Sequence, residues 1–327
     1  MAELSIKEVM ALYKSESLQI TAPYKLYRLD GGDNRFYYTI NPETKEPEFF
    51  TSWTSKINLN LPKNEYLIKW MIEMGEAEAR NYMMERASYG TFMHSQIEDF
   101  MIQKEYNFDL LYDRLLEWEL SKSGHPKART WYYEMRKDLL SFVQFAHDVE
   151  LEPFAIEIAL ASKELGCAGA LDLVCKMNIE EKGFFGEVYK SGEKKGEPKE
   201  SKRVNRVRAI VDFKSGKHGF YDSHIIQLHG YRHTWNENFP DMKIDRVFNW
   251  APNEWRDNPG YKLEEQTNKW QGQLLKGLCD LNKVRVSNDA LKPKDVMIIK
   301  GKVEFGTDVA SVYSKRNIND YIKENTK

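Results

Sequence analysis

A change of period at Pro153 constrains this chain more than any other feature. Between about residues 62 and 150 apolar residues recur at helical spacing, and from Phe154 they switch to short strand-like runs. FAIEIALAS and CAGALDLVCKM, separated by the turn ELG, read as two strands. RVRAIVDFKSG resumes as a strand, SHIIQLHGYRHTWNENF as a helix, KIDRVFNWAP as a strand and KLEEQTNKWQGQLLKGLCDLNKV as a helix. Helices followed by a β-rich middle that is closed by helices predict an α/β (α+β mixed) protein with one central mixed sheet flanked by helices.

Upstream, Ile6, Val9, Met10 and Tyr13 at helical spacing suggest a short helix within residues 1–20. YKLYRL and RFYYTI around DGGDN predict a β-hairpin, and EFFTSWTSKI a further strand. One long helix is expected from Pro62–Lys63 and a second from about Gly90, with Thr91 as its cap. Two more should fill 107–122 and 127–150. Between the strands of the middle region lies KSGEKKGEPKESKRVNR, too polar to bury a core; it reads as a long mobile hairpin tip or loop, about 186–206. From about residue 288 a short β element (VMIIKGKVEF) and an amphipathic segment (NINDYIKE) follow. The expected organisation is an N-terminal β-hairpin extension over 1–60, a core over 61–285 and a C-terminal tail over 286–327.

The formal net charge of -2 provides no global basic field. Three cysteines argue against a disulfide framework and cannot ligate a four-cysteine iron–sulfur cluster. The N-terminus lacks the apolar core of a signal peptide, and no run approaches the ~18 apolar residues that span a bilayer. The expectation is a soluble, cytoplasmic protein with no membrane partner.

The chemistry starts at IVDFKSG. Alternation on a strand points Asp212 and Lys214 the same way and Phe213 into the opposite layer. A carboxylate that holds a hard cation beside an ammonium that steadies developing charge suits phosphodiester hydrolysis; the blander reading is a strand-end salt bridge. CAGALDLV adds Asp172 inside an apolar strand, where a lone carboxylate is costly unless paired or metal-bound. Small residues precede it and leave room for close approach. In GTFMHSQIEDF, His94 and Glu98 share one helical face, beside an apolar stripe of Ile97 and Met101. A histidine so placed is also a common structural residue. Gln227 and Tyr231 share a face in HIIQLHGYRH, suited to a phosphate or base contact. His229 and His233 are also four apart but lack the glutamate of H-E-x-x-H. Glu157 in FAIEIAL either supports the site or is an exposed strand residue with Ile156 and Ile158 turned inward.

Taken in order, these pieces resemble the RecB-like branch of the PD-(D/E)XK nucleases, which includes phage-type exonucleases and mitochondrial genome maintenance exonucleases. The resemblance rests on Gly90 to His94, on Gly169-Ala170-Leu171-Asp172, on Asp212-Phe213-Lys214 and on Gln227 to Tyr231, and covers about residues 50–240. Leu171 stands where the family name has proline. The resemblance implies a restriction-endonuclease-like core. Mg²⁺ or Mn²⁺ would be held by His94, Asp172, Asp212 and the Phe213 carbonyl, with Asp172, Asp212 and Lys214 as the catalytic set. Gln227 and Tyr231 would contact DNA, with Glu98 and Glu157 in support, and no iron–sulfur cluster is implied. The implied activity is a deoxyribonuclease, exonucleolytic, engaging single-stranded DNA or DNA ends.

Lys190 to Arg208 carries eight Lys/Arg against three Glu, and is either a phosphate clamp near the site or a solvated segment without a role. Trp235, Trp250, Trp255 and Tyr261 are candidates for base stacking or for plain packing. Three alternatives remain open: a non-cleaving nucleic-acid-binding protein on the same fold, an endonuclease, and a zinc hydrolase built on His229 and His233.

Overall fold

In the computed structural model, residues 18–31, 34–62, 64–121, 128–216, 219–286, 295–299, 308 and 313–325 are described, so the expected N-terminal helix lies outside the described residues. The hairpin forms as expected from β1 (Tyr27–Gly31) and β2 (Asn34–Ile40). Then come β3 (Pro47–Ser52), α1 (Trp53–Asn60), α2 (Glu65–Met74), α3 (Glu76–Gln103), α4 (Leu111–Ser121) and α5 (Ala128–Asp148). Next are β4 (Glu152–Ser162), β5 (Cys167–Val188), β6 (Pro198–Phe213), α6 (Asp222–Asn238), β7 (Arg246–Pro252), β8 (Tyr261–Glu265) and α7 (Leu274–Val286). A small two-stranded sheet of β9 (Asp295–Ile299) and β10 (Tyr313–Asn317) and the helix α8 (Ile318–Asn325) complete the described elements.

Eight strands make one open, mixed sheet in the order β1-β2-β3-β5-β6-β7-β8, with β4 on β5. Helices α3, α4 and α5 cover one face through Phe92, Met93, Leu115, Phe142 and Phe145. Helices α1, α6 and α7 cover the other through Trp53, Leu228, Trp235 and Cys279. The mixed sheet between helices agrees with the expected fold class. No helix among the described residues is long and apolar enough to cross a membrane.

The pairing of β5 decides where the site lies. β4 pairs with residues 167–176 of β5, β3 with 167–168 in parallel, and β6 with 173–188. Because β4 overlaps both of the others, β3 and β6 must share the opposite edge of β5. Between them neither strand pairs with Gly169 to Asp172, since β3 turns away into α1 and β6 ends at Phe213. This notch in the sheet is the functional region.

Several expectations are corrected. The helix boundary falls at Gly75 and not near Gly90, because Gly75 adopts φ 89°, a conformation that breaks a helix and favours glycine. Thr91 is therefore an interior residue whose hydroxyl bonds the Ala87 carbonyl. EFFTSWTSKI is a strand only to Ser52, whose hydroxyl accepts the Ser55 N–H and starts α1. YKLEE forms β8, and helix α7 begins only at Leu274. Of the two forms expected for the basic segment, hairpin tip or loop, it takes the hairpin, and it leads away from the site. β5 and β6 continue as a two-stranded ribbon to Val188 and Pro198. Asp172 and Asp212 lie at its base, so the tip is about 50 Å away along the strand. The C-terminal helix α8 is amphipathic as expected, and Ile318, Tyr321 and Ile322 pack on Phe36 and Tyr38 of the hairpin.

Candidate metal centre and its cleft

A defect in β4 builds the centre. On a regular strand Ile156 and Ile158 would face the same layer. Here Ile156 joins the core under α3 and α5, with Leu173, while Ile158 joins the core under α6, with Leu171. The reversal falls on Glu157, at φ 47°, a left-handed conformation that is strained for a residue with a side chain. Such a defect re-aims the side chain it carries. Glu157 turns toward α3, opposite Asp172 on β5. Neither earlier reading of this residue anticipated that the two isoleucines would part.

Helix α3 brings His94 to these carboxylates, with Ile97 and Met101 buried on the adjoining stripe as expected. His94 Nδ1 lies 3.2 Å from Glu157 Oε1 and 3.8 Å from Asp172 Oδ1, and its Nε2 lies 3.2 Å from the Phe213 carbonyl oxygen. Both ring nitrogens thus meet acceptors. A neutral imidazole has one donor only, so the ring must be imidazolium or must share one acceptor with a cation. Burial opposes charge on His94, yet Asp172 and Glu157 raise its pKa to about 9. Asp172 is itself pushed above the ordinary carboxylate range, first by burial and then by the neighbouring Asp212 and Glu157 carboxylates. Its other oxygen, Oδ2, accepts the Phe213 N–H at 2.7 Å and ties β5 to the end of β6.

Asp212 and Lys214 do share a direction, while Phe213 enters the opposite core. Lys214 Nζ lies 2.7 Å from Asp212 Oδ2, and the same oxygen accepts from Asn249 Nδ2 at 2.7 Å. Asp212 is 1% exposed. His94, Glu157 and Asp172 have ligating atoms within 4.8 Å of one another; Asp212 stands beside this trio, held by Lys214 and Asn249. Carboxylate and carbonyl oxygens with one imidazole suit Mg²⁺ or Mn²⁺, the imidazole favouring the latter. Such a set fits the cation implied by the sequence.

Other residues shape the surroundings. Gln227 donates to the Tyr231 hydroxyl at 2.6 Å, one turn along α6. A Cβ on Gly169 would come within 2.8 Å of the Tyr231 ring, so only glycine allows α6 to approach here. The Tyr231 phenol is pushed upward by burial and by Asp172 and Asp212. Arg86 spans Glu134 and the Ser215 carbonyl. His224 is held neutral by burial and by Lys214, its pKa lowered to about 4. His94, Glu98, Glu157, Asp172, Asp212, Phe213, Lys214, Gln227 and Tyr231 all line one cleft of about 870 Å³.

Asn249, His224 and Arg86 escaped the sequence reading. Asn249 had a signal, being the one side chain in VFNWAP with amide chemistry, just as Asp172 is the one acid in CAGALDLVCKM. Arg86 had none.

Neither a family model nor a curated protein matches this chain.

The zinc alternative loses its geometry among the described residues. His229 bonds the Gln266 carbonyl, while His233 groups with Glu164 and Glu237. Trp235 and Trp250 are fully buried and serve packing, while the part-exposed Trp255 donates to the Ser141 hydroxyl and Tyr261 to Asp148.

Proposed function

We propose that this protein is a Mg²⁺- or Mn²⁺-dependent deoxyribonuclease of the RecB-like PD-(D/E)XK type. The observation that carries the reading is His94, held between two carboxylates and a carbonyl, in the same cleft as the Asp212–Lys214 pair. The resemblance of the ordered motifs to phage-type exonucleases favours an exonuclease acting on single-stranded DNA or DNA ends.

His94, Asp172, Glu157 and the Phe213 carbonyl would hold the cation, with Asp212 completing its surroundings. A bound Mg²⁺ or Mn²⁺ supplies Lewis-acid polarisation of the phosphoryl oxygen and an acidified water. Hydrolysis forms a bond from the water oxygen to phosphorus and breaks the bond to the leaving sugar oxygen, which takes up a proton. Lys214, anchored on Asp212 and lining the cleft, donates a hydrogen bond where negative charge develops. Asn249 fixes Asp212, and Glu157 orients His94 through Nδ1. Gln227 and Tyr231 position the strand.

End-labelled linear and circular single-stranded DNA, incubated with Mg²⁺, Mn²⁺ or chelator, tests this. The expected result is metal-dependent loss of linear DNA, circular DNA left intact, and activity lowered about a hundredfold or more in Asp212→Asn or Lys214→Ala. Binding without cleavage under every condition would instead favour the non-cleaving alternative.

A further inference from the structure

The N-terminal hairpin reaches the same cleft from the far side of the notch. β3 joins the edge of β5 that carries Asp172, with Ser52 opposite Ala168, and β2 and β1 follow outward. Tyr37 on β2 packs against Ala161 and Ala168 in one buried cluster. Its register partner on β1 is Arg28, and Arg35 lies two residues away on its own strand, so both share its face. Ala168, Ala170 and Asp172 alternate onto that face along β5, and Arg28, Arg35, Ala168, Ala170 and Asp172 all line the cleft. The Arg35 backbone N–H is fixed by the Ser55 hydroxyl of α1 at 3.1 Å. From Asp172 to Ala168 the strand spans about 13 Å. Between them Ala170 is part-exposed in the cleft, while Ala168 is buried with Tyr37. The metal trio is His94, Glu157 and Asp172, and both arginines come to the cleft from the hairpin, beyond β3. The planar fork of a guanidinium suits phosphate oxygens.

We propose that Arg28 and Arg35 form a second anionic subsite that binds a non-reacting phosphate of a polynucleotide substrate. The hairpin would thereby select polymers over short diesters; this rests on the hydrolase reading above. The full chain loaded with Mn²⁺ is assayed on bis(p-nitrophenyl) phosphate, which has a single phosphodiester, and on a single-stranded oligonucleotide. The Arg28→Ala/Arg35→Ala variant is expected to keep the wild-type rate on the aryl diester and wild-type Mn²⁺ binding. Its KM for the oligonucleotide should rise about tenfold for each arginine lost. The salt dependence of oligonucleotide binding should become shallower by about 0.7 in log–log slope. Arg28→Lys/Arg35→Lys, which keeps the charge but not the fork, should restore the salt slope and recover only part of the affinity.

An unchanged oligonucleotide KM and salt slope would overturn the subsite. Should the wild type hydrolyse neither substrate, anisotropy of the labelled oligonucleotide still decides. Binding weakened in the double variant supports the subsite while removing the hydrolytic reading, and equal binding removes the subsite. If the double variant melts early, the single Arg28→Gln and Arg35→Gln variants are read in the same way.

Discussion

Among the described residues, two places hold one histidine and two carboxylates within 4.8 Å: His94–Glu157–Asp172 and Glu164–His233–Glu237. They share composition and little else. In the second, Glu237 already accepts the Ser162 hydroxyl and the Lys163 and Glu164 N–H groups, closing the turn between β4 and β5. Its partner Glu164 is exposed and lies 3.2 Å from His233 Nε2. That cluster has a structural task and little cost of desolvation. In the first, Asp172 is 7% exposed, Glu157 is held in a strained conformation, and the histidine has more acceptors than a neutral ring can serve. Unmet electrostatic demand in a cleft, rather than ligand count, separates a candidate metal centre from a surface cluster.

The largest expected contrast is in catalysis. Asp172→Asn should lower DNA hydrolysis by about 10³-fold or more, and Lys214→Ala by about 10²–10³-fold. His233→Ala should leave it unchanged, as steady-state assays would read. Loss of activity in His233→Ala with normal stability would erase the contrast.

Metal binding offers the next contrast. Mn²⁺ at a hundredfold excess over its Kd should stabilise the wild type and His233→Ala by about 2.7 kcal/mol in thermal melts, and Asp172→Asn far less.

The pH profile sharpens it further. Below about pH 9 His94 carries a proton that a metal must displace, so affinity should rise with pH, up to tenfold per unit for that proton between about pH 6.5 and 9. Calorimetry in buffers of different ionisation enthalpy would count the protons released. Without metal the sign reverses. The raised pKa of His94 adds stability that is full below about 6.5 and is lost as pH climbs through about 9.

The smallest effect concerns the wall of the cleft. Gly169→Ala drives a methyl against the Tyr231 ring and should cost about 1–3 kcal/mol in denaturant unfolding. Equal stability would mean that α6 can withdraw freely.

What could be read from the sequence was local. The alternation of IVDFKSG set Asp212 and Lys214 on one side, the helical period joined Gln227 to Tyr231, and an aspartate in an apolar strand marked Asp172 as costly to bury. These follow from the periods of strand and helix, which neighbouring residues fix among themselves. The class of fold followed from the same periods.

What tertiary structure decided was non-local. The notch exists because β3 and β6 share one edge of β5, and no short stretch of sequence encodes that pairing. Glu157 enters the trio only because β4 reverses faces beside Asp172. The lysine-rich segment points away because both strands run their full length before turning, which composition does not reveal. Arg28 and Arg35 reach the cleft across two strands that lie more than a hundred residues from Asp172 in the chain. Local preference chose the elements, and long-range pairing chose which charges would face one another.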